Sequence, residues 1–323
     1  MPIRNGLPFL EKCIDSIVEQ SISNWELIAV DDRSTDDTVA LLERYAARDP
    51  RISWYPNPGI GIITALREAF DRSRGDYITR MDADDLMTPH KLDKLRERLI
   101  NRGPGHLAVG LVRYFSVDGV GPGYRRYADW LNHLTMSEQN FEDIYRECVI
   151  PSPCWMVHRS DLIRSGGFDA DIYPEDYDLA FRFRSVGLKV VKVPEVIHMW
   201  RDHPHRASRN DPHYRDNRFL ELKLMWFLRS DYNSEQTLVI WGAGHKGKLI
   251  ARSLQDSNIP FVWITNNENK IGQDIYGVPL ASTADHNFDR LSQVIIAVAN
   301  PKEQEIIGTL LKSHPKATPF YFC

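Results

Sequence analysis

The chain has few cysteines and lacks long apolar runs. Its four cysteines, Cys13, Cys148, Cys154 and Cys323, are scattered. Their spacing is not typical of disulfides or metal sites, so they fit reduced thiols. No stretch of eighteen apolar residues occurs, which argues against a transmembrane helix. Residues 1–6 lack the apolar core of a signal peptide. We therefore expect a cytoplasmic protein.

The chain also lacks a strong excess of either charge. It has 40 Lys and Arg residues against 44 Asp and Glu residues, a net charge of -4, so nothing indicates a nucleic-acid partner. Arg125, Arg126 and the basic stretch around Arg206 and Arg209 could lie near anionic lipid at the inner face of a membrane. Solvated surface is the simpler explanation, and peripheral membrane association stays open. The oligomeric state is also open.

Helix and strand patterns alternate over residues 7–115, which predicts an α/β fold with a mixed, mostly parallel sheet flanked by helices. The predicted helices are 9–20, 36–47, 62–73 and 89–100, and the predicted strands are 25–30, 52–55, 77–81 and 107–115. Residues 116–150 are less regular and are predicted as a flexible loop on the acceptor side. Residues 201–218 are polar and are predicted as a loop or linker.

Three carboxylates, Asp82, Asp84 and Asp85, follow the predicted strand at 77–81. In a water-poor cleft such a cluster repels itself and raises its own pKa values. A hard divalent ion such as Mg²⁺ or Mn²⁺ removes this cost, and it usually completes its shell with water and substrate phosphates. Asp-rich turns after strands are also common as caps. The cluster therefore gains weight only from other acidic segments.

Two such segments occur. Asp31 and Asp32 end the predicted strand at 25–30, and ligands of parallel α/β sheets lie outside the carboxyl ends of strands. Glu175 and Asp176 begin a predicted helix, where the helix dipole stabilises an ionised carboxylate that could act as a general base. Each pair could instead serve only the start of its helix. If all three acidic segments share one cleft, they predict a metal-dependent site for a phosphorylated substrate.

A second, smaller α/β unit is predicted from residue 236. A buried-type strand at 237–241 runs into Gly242, Gly244 and Gly247 and then into a helix, as in a dinucleotide-binding turn. The acid that should follow the second strand is replaced by Asn266, so NAD is a doubtful cofactor. The alternatives are a glycine turn that binds nothing, or one that binds another nucleotide.

With these motifs in hand, residues 2–210 resemble family 2 glycosyltransferases of the GT-A fold. The resemblance rests on the order and spacing of the segments 2–6, 30–36, 80–85, 166–169 and 175–178. It implies an inverting transferase that uses a nucleotide sugar, often a UDP-sugar, with Mn²⁺ or Mg²⁺ and a saccharide or lipid-linked acceptor. The domains expected from it are a GT-A domain at 1–212, a linker helix at 213–235 and a Rossmann-like domain at 236–323.

The resemblance also implies contacts to the nucleotide. It assigns them to Pro2 and Arg4 in the first loop, to Asp32 at the base, and to Asp82 near the ribose and sugar. Arg4 stands where an aromatic ring often stacks on the base, a role that a guanidinium can also fill. Family members usually carry a full apolar strand before the first segment, so we expect either that one strand of the pocket floor is missing or that the start of the chain is wrongly placed.

The remaining assignments concern the metal and the chemistry. Asp84 resembles the metal ligand, with Asp82 and His203 as further candidates, although His203 could instead be a loop histidine without a ligand. Asp176 resembles the general base, and Glu175 would hold the sugar or acceptor. Two rival functions are a catalytically inactive nucleotide-sugar-binding or sensing protein and an NAD-dependent sugar oxidoreductase. The oxidoreductase is disfavoured by the missing acid and by the lack of a catalytic Tyr-x-x-x-Lys set.

Overall fold

A computed structural model describes residues 1–204, 206 and 219–323, and most of the loop predicted at 201–218 lies outside them. The chain divides into two compact units. The first comprises Met1–Ile144 and Cys148–Asn210, and the second comprises Tyr145–Glu147 and Asp211–Cys323. The whole range predicted as a linker helix, 213–235, thus falls in the second unit.

The first unit alternates strands and helices as the periodicity predicted. Its helices are α1 (Leu10–Val18), α2 (Thr38–Arg48), α3 (Ile62–Arg72), α4 (Lys91–Ile100), α5 (Pro122–Ser137), α6 (Arg159–Arg164) and α7 (Glu175–Ser185). Its strands are β1 (Pro2–Ile3), β2 (Leu27–Asp31), β3 (Ile52–Pro56), β4 (Tyr77–Thr79), β5 (Leu86–Met87), β6 (His106–Phe115), β7 (Trp155–His158) and β8 (Lys189–Arg201). Apolar faces of α1, α2 and α4 pack into one core with the sheets.

These strands form two sheets. The first has the order β1-β2-β3, and all of its pairs are parallel. The second has the order β4-β7-β6-β8-β5, in which β6 and β8 are parallel and the other pairs are antiparallel. The prediction of a mixed α/β fold with parallel strands flanked by helices is confirmed. Two of the acidic segments follow the carboxyl ends of β2 and β4, and the third forms the start of α7. They therefore lie where the topology can bring them together.

A cavity lies close to the short strand β1. β1 pairs with β2 only at Val30 and Asp31. A cavity of about 520 Å³ is lined by residues of β2 and β4, including Ile28 and Ile78. The Met1 amine donates to the Ile28 carbonyl at 2.8 Å, and burial lowers its pKa to about 5. Among the described residues no strand fills the position between β2 and β4.

The prediction of a loop at 116–150 was wrong, because this region contains the helix α5. The helix begins with a proline, which suits the first helical position, and it buries Ala128, Leu131 and Leu134. Their spacing of three matches one helical face. The glycines around the helix start concealed this pattern, since glycine is typical of turns.

The second unit contains a parallel sheet of its own. The strands of this unit are β9 (Thr237–Trp241), β10 (Val262–Thr265), β11 (Asp274–Ile275), β12 (Val278–Pro279), β13 (Ala281–Ser282), β14 (Ser292–Ile296) and β15 (Ala317–Tyr321). The order in the sheet is β13-β10-β9-β14-β15, and every neighbouring pair is parallel. The helices of this unit are α8 (Phe219–Ser230), α9 (His245–Asp256) and α10 (Pro301–Lys312). The strand-turn-helix predicted around Gly242 is present as β9 and α9.

Helix length bears on the question of membrane contact. The longest helix of the described residues, α5, has 16 residues, about 24 Å at 1.5 Å per residue, and a bilayer core is about 30 Å thick. Within residues 1–204, 206 and 219–323, no helix combines the length and apolar character needed to cross a membrane.

Candidate active site

The loop after β1 is bound to the segment after β2. Asn5 adopts a left-handed conformation with φ 51°, and its backbone N–H donates to Ser34 Oγ at 2.8 Å. Its side-chain oxygen accepts from the backbone N–H of Thr35, also at 2.8 Å. Pro2 lies in β1 opposite Val30 and is partly buried, whereas Arg4 is exposed. The first two segments of the predicted site therefore form one local structure, with Arg4 at its surface.

Asp32 is buried and its carboxylate is already bonded within the protein. Its Oδ1 accepts from Asn57 Nδ2 at 2.7 Å, and both oxygens accept from the Gly61 N–H at 3.1 and 3.0 Å. Position 61 favours glycine, because the backbone φ there is +90°. Asp32 thus shapes the loop before α3. In the neighbouring Asp31, Oδ2 accepts from Ser34, while Oδ1 is buried without a partner among the described residues.

Arg80 joins the segment after β4 to the start of α7. Its Nε donates to Asp82 Oδ1 at 2.9 Å and its Nη1 donates to Glu175 Oε1 at 2.7 Å. Burial raises the pKa of Asp82, but the charge of Arg80 outweighs it and the pKa lies below its usual value. Our sequence analysis gave Arg80 no role. The sequence did contain a signal for such a role, because Arg80 is a single cation between an apolar strand and three acids.

Asp176 lies in the first turn of α7, as predicted, and is half-buried. Burial, followed by the charge of Glu175, raises the pKa of Asp176 to about 7. Its Oδ1 accepts from the backbone N–H of Tyr177 at 2.7 Å. A carboxylate that titrates near neutral pH can accept a proton efficiently from a reacting hydroxyl.

Asp84 and His203 form a close pair. Asp84 Oδ2 and His203 Nε2 are 2.9 Å apart, and burial together with the charge of Asp85 raises the pKa of Asp84. The ring of Phe9 packs on that of His203 with centroids 4.7 Å apart, and the guanidinium of Arg201 lies over the ring of Phe9. Phe9 belongs to the loop after β1, and that loop is bonded to the segment after β2 that follows Asp31 and Asp32. The contact therefore brings this acidic segment and the Asp84–His203 pair into one region.

The donor set can be tested against a divalent ion. In the part of the chain that the structure describes, no group of three or more His, Cys, Asp or Glu residues is arranged as a metal cage. Asp84 and His203 supply two donors, whereas Asp82 is held by Arg80. Ions of the Mg²⁺ type use one or two carboxylates and complete their shell with water and phosphates. The pair therefore fits an ion whose other ligands come from a diphosphate.

A buried polar chain lies behind these acids and was missed by the sequence analysis. Lys91 Nζ donates to the Pro153 carbonyl and to His198 Nδ1, and His198 Nε2 faces Asp85 Oδ2 at 3.0 Å. Asp85 Oδ1 accepts from the Arg201 backbone at 2.7 Å. Burial raises the pKa of Asp85 to about 7 and lowers the pKa of His198 well below its usual value. A neutral imidazole thus bridges a lysine and an acid.

We expect His198→Ala to lower the free energy of unfolding by about 3 kcal/mol, because it leaves Lys91 and Asp85 buried without their shared partner. Urea unfolding at neutral pH measures the change. His133, exposed on α5, gives the matched control His133→Ala, which should change stability by less than about 0.5 kcal/mol. Equal midpoints for the two variants would contradict a stabilising role of the chain.

The glycines of the second unit have a packing explanation. Gly242 has φ +117°, and a Cβ at Gly247 would lie 2.0 Å from the Gly242 carbonyl oxygen. Gly244 has open space around it. Lys270 Nζ donates to the Ala243 carbonyl in the same turn. The close approach of α9 to the turn therefore requires two of the three glycines whether or not a nucleotide binds.

Comparisons with known proteins address the fold. The chain is 24% identical over 193 residues to the amylovoran biosynthesis glycosyltransferase AmsE of Erwinia amylovora, covering 58% of this chain and 68% of AmsE. It spans 28% to 40% of the length of three Bacillus subtilis glycosyltransferases that it matches.

Two solved structures share the architecture. S. aureus TarS 1-349 in complex with UDP-GlcNAc matches with a TM-score of 0.55 at 14% identity, over 78% of this chain and 70% of that one. The mannosyltransferase PcManGT from Pyrobaculum calidifontis, in complex with GDP-Man and Mn²⁺, matches with a TM-score of 0.52 at 20% identity, over 71% of this chain and 62% of that one. At these identities the likeness bears on the fold alone. Sequence gives the family, since the model of glycosyl transferase family 2 matches residues 1–166. On this match the chain belongs to glycosyl transferase family 2.

Proposed function

We propose that this protein is an inverting glycosyltransferase. It would move a sugar from a nucleotide-sugar donor of the UDP-sugar class to a hydroxyl group of a saccharide or lipid-linked acceptor. Family membership supports the reaction class, and the TarS complex shows that a protein of this fold can hold UDP-GlcNAc. The observation that carries the proposal is the arrangement of the acids, with Asp84 paired to His203 at 2.9 Å and Asp176 as a separate acid in the first turn of α7.

The roles of the residues follow from the charge that each must handle. Asp84 and His203 would hold a divalent ion, Mn²⁺ or Mg²⁺, which when bound stabilises the negative charge that develops on the leaving diphosphate. Asp176 would accept the proton of the acceptor hydroxyl as it attacks the anomeric carbon from the opposite face. Asp82 would lie near the ribose and sugar and would stay ionised beside Arg80.

The nucleotide would bind to the loop after β1 and the segment after β2. Pro2 and Arg4 supply the loop surface. Asp32 would shape the base pocket through its bonds to Asn57 and Gly61, and the partly unused carboxylate of Asp31 supports a direct contact from that residue. For the second unit, the packing of its glycines supports a structural turn, and the asparagine at the position of the ribose-binding acid argues against NAD.

A sensing protein without catalysis is the second candidate, and one observation favours it. A cavity of about 520 Å³ is lined by residues of β2 and β4 and by Arg80, which precedes the acids. A site beside such a cavity could hold a donor without aligning it for transfer. Catalysis depends on alignment within a fraction of an ångström, whereas binding tolerates more error.

A donor screen separates the two candidates. The melting temperature of the purified protein is measured with UDP, UDP-sugars or GDP-mannose, each with and without Mn²⁺. Release of free nucleoside diphosphate from the nucleotide sugars is measured in separate, unheated samples. We expect a metal-dependent rise in the melting temperature and slow hydrolysis of one UDP-sugar. Stabilisation without any hydrolysis or transfer would favour the sensor, and no stabilisation by any nucleotide would refute both.

A further inference from the structure

Arg80 connects two acids, Asp82 after β4 and Glu175 at the start of α7, and Glu175 is 95 positions away from Arg80 in the chain. The Arg80–Glu175 pair is buried, because Arg80 is 7% exposed and Glu175 is 8% exposed, whereas Asp82 is half-buried. A guanidinium is planar and always charged, so it can hold two carboxylates in one fixed geometry. A lysine has no such fork.

Arg80 with its two partners Asp82 and Glu175, called the clamp from here on, also changes the electrostatic surroundings of Asp176. The charged groups that act on Asp176 are Glu175 on its own helix and Arg80 and Asp82 from the segment after β4. Glu175 and Asp82 disfavour ionisation of Asp176, whereas Arg80 favours it. Without Arg80, three acids would share a buried region with no cation among these groups, and Asp176 would hold its proton at neutral pH.

We propose that Arg80 is a positioning residue of the transfer reaction, which clamps Glu175 to Asp82 and thereby fixes the first turn of α7 with Asp176 exposed to the acceptor. In this arrangement Glu175 serves the clamp rather than the sugar. The inference rests on the proposed function in one respect, the role of Asp176 as base. The clamp and its effect on Asp176 can be measured without any transfer.

The test uses two variants of Arg80 and a matched control. Arg80→Met removes the charge, and we expect the midpoint of the rising limb of the pH–rate profile to move up by about one pH unit or more. Arg80→Lys keeps the charge but not the fork, so the midpoint should stay near that of the parent while kcat falls about 10-fold. Arg182 on α7, ion-paired with Asp178 at 2.7 Å, gives the control Arg182→Met, which should leave the midpoint unchanged.

A second readout separates this inference from the proposed function. The carboxyl carbon of Asp176 is titrated by ¹³C NMR, with its signal assigned by its loss in Asp176→Asn. A higher titration midpoint in Arg80→Met than in the parent supports the clamp. Equal midpoints, or an equal rise in Arg182→Met, would overturn it even if the parent transfers sugar. If the parent transfers nothing, the proposed function fails while the titration still decides the role of Arg80. If Arg80→Met does not fold, Arg80→Lys decides, since an unchanged kcat would refute the fork.

Discussion

Asp176→Asn lowers the rate of sugar transfer by about 10²–10⁴-fold while nucleotide binding stays nearly intact. The amide has almost the size of the carboxylate but cannot accept the proton of the acceptor hydroxyl. In the parent, the rate should rise with pH through about 7, because burial and Glu175 raise the pKa of Asp176 to that value and only the ionised form is a base. The variant should lose this limb of the profile. Initial rates and nucleotide titration by calorimetry measure the two effects.

A surface acid near the same helix gives the control. Asp171 pairs with Arg67 at 2.9 Å and its side chain is 78% exposed, so Asp171→Asn should leave the rate within about twofold of the parent. Unchanged turnover in Asp176→Asn would remove Asp176 from the base role. A weaker binding of UDP in the same variant would mean that the residue contacts the donor instead.

Asp84→Ala removes the metal-dependent part of UDP binding. With the carboxylate gone, His203 is the remaining protein donor of the pair, and a single imidazole does not hold a hard divalent ion against water. We expect the affinity for UDP in the presence of Mn²⁺ to fall at least about 10-fold, to the value measured without metal. Calorimetric titration of UDP into the protein, with Mn²⁺ and with a chelator, measures the difference.

Two further variants sharpen this result. His203→Ala should lose part of the same metal dependence, because His203 Nε2 lies 2.9 Å from Asp84 Oδ2. Asp118, an exposed acid after β6, gives the control Asp118→Ala, which should bind UDP as the parent does. If the parent binds UDP equally well with and without Mn²⁺, then Asp84 holds no ion that matters for the nucleotide.

Local patterns predicted the elements that depend on neighbouring residues. The apolar spacing of α1 to α4 and the strand runs of β2, β3 and β6 agree with the structure to within a few residues. The same holds for Glu175 and Asp176 in the first turn of α7. Local reasoning failed at α5, where glycines around the helix start outweighed a regular apolar face. It also gave no sign that the strands form two separate sheets.

From the residues alone came the three acidic segments, the mixed α/β fold, the resemblance to family 2 glycosyltransferases and the glycine turn of the second unit. Folding in three dimensions added the contacts that join distant segments, namely the clamp of Arg80 on Glu175, the pair of Asp84 with His203 and the buried bond between His198 and Asp85. The division has one physical reason. Helix and strand periodicity depends on residues a few positions apart, whereas burial, ion pairing and the pKa values of acids depend on neighbours about a hundred positions away.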